Sequence, residues 1–475
     1  LSNRRRFIAT SAASSLLLLG CNQPAADTSP ATSTVRRNVP LRILLCGNRR
    51  WAETMTTAWS GIAEQPLQIN VLDPAEVDAE SWQGKAIEAV NVCDVAIVPT
   101  GLLAALDEAS ALTPLNETML GESGLNAITF YPVLREGAMK FAGRIVAVPQ
   151  GAVQPAVVQR TDGDNLEWVA LDRWDAYIET ISKLSHGKSE PVAAEPLAEG
   201  GAVQMFLWRA NVSNPPVWLF DRETFAPVID TKSYVDVLET MKQCVSRYGK
   251  ERLTAGEVWS RIATGKLRMA IAWPAAHSKI DRIEEAVDCQ FSPLPKSNAS
   301  DLTPVQTLVS DVSPVAIISS HCRQSEAAQR FIRWVAGGEG TSMLRDAVTG
   351  LTELRSSSIA RSSRSTTESD ETPSNKTPSN KTPSNKTPSN EMVTDRYDAI
   401  LSKALSSLSI RTPLQLMQYR KYTEVLDAAV LSCLSGDQTP QAALSAVSKS
   451  WSELTESVGV KLQAKAWRKA QGLSG

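Results

Sequence analysis

Twelve tryptophans stand in this sequence against eight phenylalanines and seven tyrosines. An indole offers a flat apolar face and one N–H donor, a combination that stacks on the C–H face of a pyranose ring while polar groups read its hydroxyls. The tryptophan excess therefore fits carbohydrate binding. Three of the twelve hold positions suited to a site. Trp273 ends an apolar run just before Pro274, Trp51 falls at a helix start after the first apolar run, and Trp208 lies in Phe206-Leu207-Trp208-Arg209, downstream of Gly200-Gly201. Trp334, Trp451 and Trp467 sit in helical patterns and read as core. Asn48, Thr100 and Gln150 join the candidates as polar residues directly beyond extended apolar runs.

Catalytic and metal chemistry finds less to work with. Only three histidines occur, His186, His277 and His321, too far apart in sequence to suggest a zinc site or a nucleophile with its base. No Gly-x-Ser-x-Gly elbow is present. Glu284-Glu285 are adjacent, so on a helix they diverge and form a solvated face instead of a catalytic carboxylate pair. Ala336-Gly337-Gly338-Glu339-Gly340-Thr341 lacks the lysine of a phosphate-binding loop and follows a helical run, so it reads as a helix stop. No enzyme, cofactor or metal is expected. Lys and Arg total 49 against 51 Asp and Glu, with no domain-sized basic stretch, which removes the electrostatic footprint of a nucleic-acid binder.

Residues 1 to 21 read LSNRRRFIATSAASSLLLLGC. A basic cluster, a short apolar run and a small residue before cysteine make a secretory leader, and the apolar stretch is too short for a stable membrane span of about 20 residues. Asn3-Arg4-Arg5-Arg6-Phe7-Ile8 looks like a twin-arginine export motif and Leu18-Leu19-Gly20-Cys21 like a bacterial lipobox, so cleavage after Gly20 and lipidation of Cys21 are expected. Residues 22 to 40, rich in Ala, Ser, Thr and Pro, read as a tether. The six later cysteines are widely spaced. Cys46 ends one strand and Cys93 begins another, so parallel neighbours would hold their thiols at opposite ends and leave that pair unbonded.

At 475 residues, 43% hydrophobic and 21% charged, the chain suits two to three globular domains. Its elements fit an α/β fold. Leu41–Cys46, Leu67–Leu72 and Asp94–Val98 read as strands separated by a helix over Trp51–Glu64 and by further chain, the order of a mostly parallel sheet. Such sheets bind ligands beyond their strand carboxyl ends, which points to Asn48 to Trp51 and Thr100 to Gly101. An extended run over Gly143–Pro149 and another over Pro155–Gln159 suggest a crossing between lobes. Helices over Trp174–Leu184, Tyr234–Tyr248 and Glu257–Thr264 and a strand over Leu267–Trp273 make a second α/β unit. Pro314–Ile318 is a further strand and Glu326–Val335 a helix. From Ser356 to Glu391 the composition is Ser, Thr, Pro, Asn and charge, with TPSN repeating from Thr372, Thr377, Thr382 and Thr387, and reads as a disordered insertion. Asp395–Gln471 returns to helical spacing, with Gly436 and Pro440 separating two or three helices.

The order of these pieces resembles the family 1 extracellular solute-binding proteins of ABC importers, the sugar-binding type. The residues that carry the resemblance are Gly143–Pro149, Trp174-Asp175-Ala176-Tyr177, Gly265–Pro274, Pro293-Leu294-Pro295, Glu326–Trp334 and Gly436–Trp451. It implies a two-lobed periplasmic-binding-protein fold with discontinuous lobes joined by a hinge. The expected division is lobe 1 over 41–150, lobe 2 over 151–295, a return to lobe 1 over 296–355, the insertion over 356–394, and C-terminal helices over 395–475 mainly in lobe 2. It further implies a membrane-anchored monomer outside the cytoplasm, holding a saccharide between its lobes for an ABC permease. Gln150-Gly151-Ala152 and Val157-Val158 stand where the family often has a tyrosine-rich strand, and the TPSN run is foreign to the pattern. Three alternatives are a non-sugar ligand such as a polyamine or amino acid, a ligand sensor without an importer, and an envelope hydrolase. Ferric ion is disfavoured because the only neighbouring tyrosines, Tyr419 and Tyr422, lie in a helical run.

Overall fold

The apolar run Leu41–Leu45 forms strand β1, pairing in parallel with β2 (Leu67–Val71) on one side and β3 (Val95–Pro99) on the other. Four of its five residues are buried, because helices cover both faces of the sheet. Further along come β4 (Lys140–Phe141), β5 (Arg144–Ile145), β6 (Ala147–Pro149), β7 (Ala156–Arg160), β8 (Ala193–Ala194), β9 (Met269–Ala272), β10 (Cys289–Pro293), β11 (Thr307–Leu308), β12 (Pro314–Ile318) and β13 (Ile410–Arg411). The computed structural model describes residues 39–161, 171–198, 200–274, 288–296, 306–345, 354–355 and 390–473, all within one unit running from Arg37 to Gly475. The leader, Cys21, Glu284-Glu285, His277 and the TPSN run as far as Ser389 lie outside the described residues.

Two sheets divide the chain. The first has the order β2-β1-β3-β12-β6, with β12 antiparallel to both of its neighbours. The second has the order β10-β7-β9-β8, with β7 buried throughout between antiparallel partners. The chain leaves the first sheet after β6 and enters the second at β7, then returns from β10 through β11 to β12. On that return β11 pairs in parallel with β13, which brings the C-terminal segment into the crossing. The result is the expected two-lobed α/β architecture.

Local sequence explains the covering helices. The helix Arg49–Ser60 is capped by Asn48 and buries Trp51, Ala52, Met55 and Trp59 on one face. The helix Ser325–Val335 buries Phe331, Ile332 and Trp334, and its Phe331 and Trp334 rings pack against Trp59, at 5.3 and 5.2 Å between centroids. Thr254 and Glu257 form a reciprocal capping box at the start of Ala255–Ala263.

Three sequence expectations need correction. The stretch after Val335 does stop one helix, but a second begins at Gly338 and runs to Arg345. Gly340 is required by close approach, since a Cβ there would lie 2.2 Å from the Trp334 carbonyl oxygen. The C-terminal region holds four helices, Asn390–Leu405, Tyr419–Ser435, Pro440–Val458 and Val460–Ala470, because Gly459, at positive φ, adds a break to those at Gly436 and Pro440. Finally, Gly201–Ser213 is a helix that the sequence reading lacked. Among the described residues no helix is long and apolar enough to cross a membrane, and no two of the six described cysteines, Cys46 and Cys93 among them, are joined in a disulfide.

Candidate functional site

The parallel strands β1, β2 and β3 end on one side of the first sheet, and beyond those ends lies a cavity of about 1070 Å³. Cys46 and Pro99 contribute from the strand ends, Asp73 to Asp78 from the turn after β2, and Gly151 to Val153 from the crossing between sheets. The far wall belongs to the second lobe, with Trp273 just past β9 and the N-terminal half of the helix Gly201–Ser213. The helix Tyr419–Ser435 closes a third side.

The Gly201–Ser213 helix carries the central aromatic because it is buried from Ala202 to Asn211 almost all round. Gly200, at φ 77°, turns the chain into it, and Gly201 packs so near Pro196 that a Cβ would lie 2.8 Å from the Pro196 carbonyl oxygen. Trp208 then meets Trp273, with ring centroids 5.7 Å apart and planes at 66°. Both indoles are at least nine-tenths buried, and neither N–H has an acceptor among the described residues.

Acceptors surround this pair. Asp73, Glu76, Asp78, Glu424 and Asp427 line the cavity, with Arg420 as the one lining cation among the described residues. Asp73 and Asp78 are partly committed, capping the backbone N–H groups of Ala75 and Ser81. The Arg420 guanidinium donates to the Val77 and Pro74 carbonyls at 3.1 Å, holding the turn after β2 against the C-terminal helix. Asp427 accepts from the Val203 N–H at 2.9 Å, in the first turn of the Gly201–Ser213 helix, where a carboxylate is favoured. Burial nevertheless pushes its pKa above the ordinary carboxylate value.

The floor of the cavity is where the lobes connect. Ser310 and Asp311 follow β11, and Gln204 reaches them from the second lobe: Ser310 Oγ donates to Gln204 Oε1 at 2.7 Å, and Gln204 Nε2 donates to Asp311 Oδ1 at 3.0 Å. From the first lobe, Thr100 Oγ1 donates to the Ser310 carbonyl at 2.8 Å and the Gly101 N–H to the Asp311 carbonyl at 2.8 Å. Asp311 is buried, its Oδ2 without a partner among the described residues, and burial raises its pKa.

Of the residues singled out from sequence, Trp208 and Trp273 line the cavity. Asn48 and Trp51 do not line it. The Asn48 side chain caps the first helix by accepting from the Trp51 N–H at 2.9 Å, and Trp51 lies in the first lobe's core, its ring against Gly47. Trp51 thus does not face Trp273: it lies on the buried face of its helix, with Ala52, Met55 and Trp59, inside the first lobe. Thr100 sits in the connection beneath the floor, and Gln150 turns its amide back to the Val148 and Pro149 carbonyls. Trp334, Trp451 and Trp467 are buried. Sequence reasoning missed Gln204, Tyr419 and Asp427. Only the Gly200-Gly201 pair hinted at the first of them, by marking a helix start.

No family model matches the chain, and no curated protein matches it. Among solved structures it is similar to an ABC transporter solute-binding protein from Agrobacterium radiobacter K84 in complex with ribitol, with a TM-score of 0.65 and 16% identity over 88% of this chain and 98% of that one. It is similar also to a solute-binding protein from Agrobacterium vitis S4 with bound D-mannitol, at 0.62 and 15% over 88% and 99%. A third is maltose-bound MalE3 of T. maritima, at 0.60 and 15% over 87% and 100%. Likeness at these identities is one of fold.

Proposed function

We propose that this chain is an extracytoplasmic solute-binding protein that captures a sugar or polyol between its lobes and presents it to an ABC permease. The observation that carries the reading is the Trp208–Trp273 pair lining a cavity of about 1070 Å³ at the junction of two lobes. Indole faces suit the apolar side of a polyhydroxylated ligand, and Glu76, Glu424 and Asp427 supply acceptors for its hydroxyls. The fold is shared with proteins solved with ribitol, D-mannitol and maltose. The protein acts by binding and not by catalysis: a ligand that touches both lobes favours the closed arrangement by its extra contacts there, and closure is what the permease reads. In this proposal residues 1–20 form the leader, Cys21 carries the lipid anchor, and the mature protein works as a monomer.

The excess of carboxylates over cations around the cavity favours one second reading, a polyamine ligand. A thermal-shift and calorimetric panel separates the two. Ribitol, mannitol, maltose and other neutral sugars are set against putrescine and spermidine, since a ligand that binds the folded state raises its melting temperature. A saturable shift with a neutral polyhydroxy compound supports the proposal. Saturable binding of a polyamine alone replaces the sugar reading and leaves the capture role standing, and no binding by any member sinks both.

A further inference from the structure

A second cavity, of about 430 Å³, lies at the other end of the Gly201–Ser213 helix, away from the Trp208–Trp273 pair. Its lining includes Asn214, Trp218, Arg222, Gln306, Arg411 and Trp467. Arg411 belongs to β13, the strand paired with β11 in the crossing between the sheets. It is only 6% exposed, and among the described residues it makes no ion pair. Its Nε donates to Gln306 Oε1 at 2.8 Å and Nη2 to Asn214 Oδ1 at 3.0 Å, while its guanidinium carbon lies 4.5 Å from the centroid of the Trp218 ring. Nη1 has no acceptor among the described residues, and burial pulls the pKa of the side chain below the ordinary arginine value.

A buried guanidinium without a counter-charge is costly, and an unfilled buried donor adds to the cost. Two residues that line the cavity carry more such donors. The indole N–H groups of Trp218 and Trp467 are buried and lack acceptors among the described residues. Arg222, exposed, adds a second cation to the lining. A surplus of donors and positive charge calls for a ligand that only accepts, and ionised carboxylates and phosphates are such groups. The cavity is larger than an inorganic anion needs, and Trp218, Phe220 and Trp467 give it an aromatic wall.

We propose that this cavity is a second ligand site, taking a small organic molecule with a carboxylate or phosphate group, the anion held by Arg411 and Arg222 and the apolar part against Trp218 and Trp467. The site is independent of the solute cleft and stands whichever solute that cleft takes.

The test is calorimetric titration of the full chain with phenyl phosphate, benzoate and inorganic phosphate, against sodium chloride at matched ionic strength. Wild type should bind at least one of the three saturably. Arg411→Met should weaken that binding tenfold or more, and Arg222→Ala, at an exposed position that leaves the fold intact, should weaken it several-fold. A requirement for the ring identifies an organic anion, as proposed, whereas binding of inorganic phosphate with no gain from the ring overturns the organic ligand. Arg411→Lys, which keeps the charge and loses the planar fork, should bind between wild type and Arg411→Met. The proposal is overturned if no probe binds above the chloride control, or if Arg222→Ala and every folded Arg411 variant bind like wild type.

Discussion

Trp208 and Trp273 meet edge to face in the second lobe, one on a buried helix and the other just past the end of β9. Because a single lobe supplies both rings, the aromatic platform is complete whatever the angle between lobes. The first lobe brings the turn Asp73–Asp78 and the strand ends to it. Such a division lets a solute dock on one lobe first and then favour closure through polar contacts from the other.

Replacing Trp273 by alanine should therefore weaken solute binding by about 1–3 kcal/mol, roughly tenfold to a hundredfold in affinity. Trp273 is also largely buried, so the melting temperature should fall as well. Trp273→Phe keeps most of the packing and should recover the melting temperature more fully than the affinity. Calorimetry beside a thermal melt checks this: a folded Trp273→Ala fraction that binds normally would make Trp273 a core residue and nothing more.

Deeper in the same lobe, Arg209 Nη1 and Glu195 Oε2 form a fully buried ion pair at 2.5 Å, with the guanidinium 4.5 Å from the centre of the Trp174 ring. Removing one partner strands the other charge in a dry interior, which typically costs about 3–5 kcal/mol. Urea unfolding of Arg209→Met and Glu195→Gln should each show a loss of that order. The double variant should lose clearly less than the two singles combined, since it leaves no orphaned charge. Additive losses would mean that the two residues act through separate contacts.

How far the sequence discloses all this depends on where the signal resides. Runs such as Leu41–Leu45, apolar but for Arg42, and Pro314–Ile318 announce themselves because strands covered on both faces are nearly continuous in apolar residues. The Gly201–Ser213 helix does not, because burial all round erases the 3.6-residue alternation that marks a surface helix. The rule that ligands sit beyond strand ends applies equally to Trp51 and Trp273, yet only Trp273 lines the cavity. The difference is that Trp51 falls on the buried face of its helix, with Met55 and Trp59, whereas Trp273 stands just past β9. Gln204 and Asp427 are further out of reach, since their partners Asp311 and Val203 lie 107 and 224 residues away in the chain.

Gly101 is the second residue after β3, and Tyr419 stands directly over it at the head of a C-terminal helix. A Cβ added at Gly101 would come within 2.6 Å of the Tyr419 ring. Tyr419 is buried, lines the cavity and packs against Trp82, so it has little room to give. Gly101→Ala should cost about 1–3 kcal/mol through overpacking. It should also weaken solute binding, because the displaced ring is part of the cavity wall. Unfolding and titration of the one variant check both effects; a neutral outcome in both would show that the helix slides freely past the first lobe.

Asp311 offers a test with a definite sign in pH. Burial raises its pKa in the folded protein, against about 3.9 for an unperturbed aspartate. Below that unfolded value both states are protonated and the residue contributes no pH dependence. As pH rises from there through the raised folded pKa, the folded protein must either keep a proton that the unfolded chain has released or bury a charge, so stability falls. The amide introduced by Asp311→Asn cannot titrate, and its carbonyl oxygen can still accept from Gln204 Nε2. The variant should match wild type near pH 4 within a few tenths of a kcal/mol and exceed it at pH 7 by about 1–3 kcal/mol, since an unbonded buried carboxylate costs more than an unbonded buried amide. Asp94 runs the opposite way. Burial pushes its pKa up, but hydrogen bonds from the Arg42 side chain and the Arg323 N–H outweigh that and leave it low, so its stabilisation is lost only as pH falls below about 4. That effect is common to both proteins and cancels in their difference. Urea unfolding of the pair at pH 4, 5.5 and 7 gives the comparison. A difference that does not grow with pH, or a variant weaker than wild type at pH 7, would mean that the Asp311 carboxylate is held by a contact worth more than its burial costs.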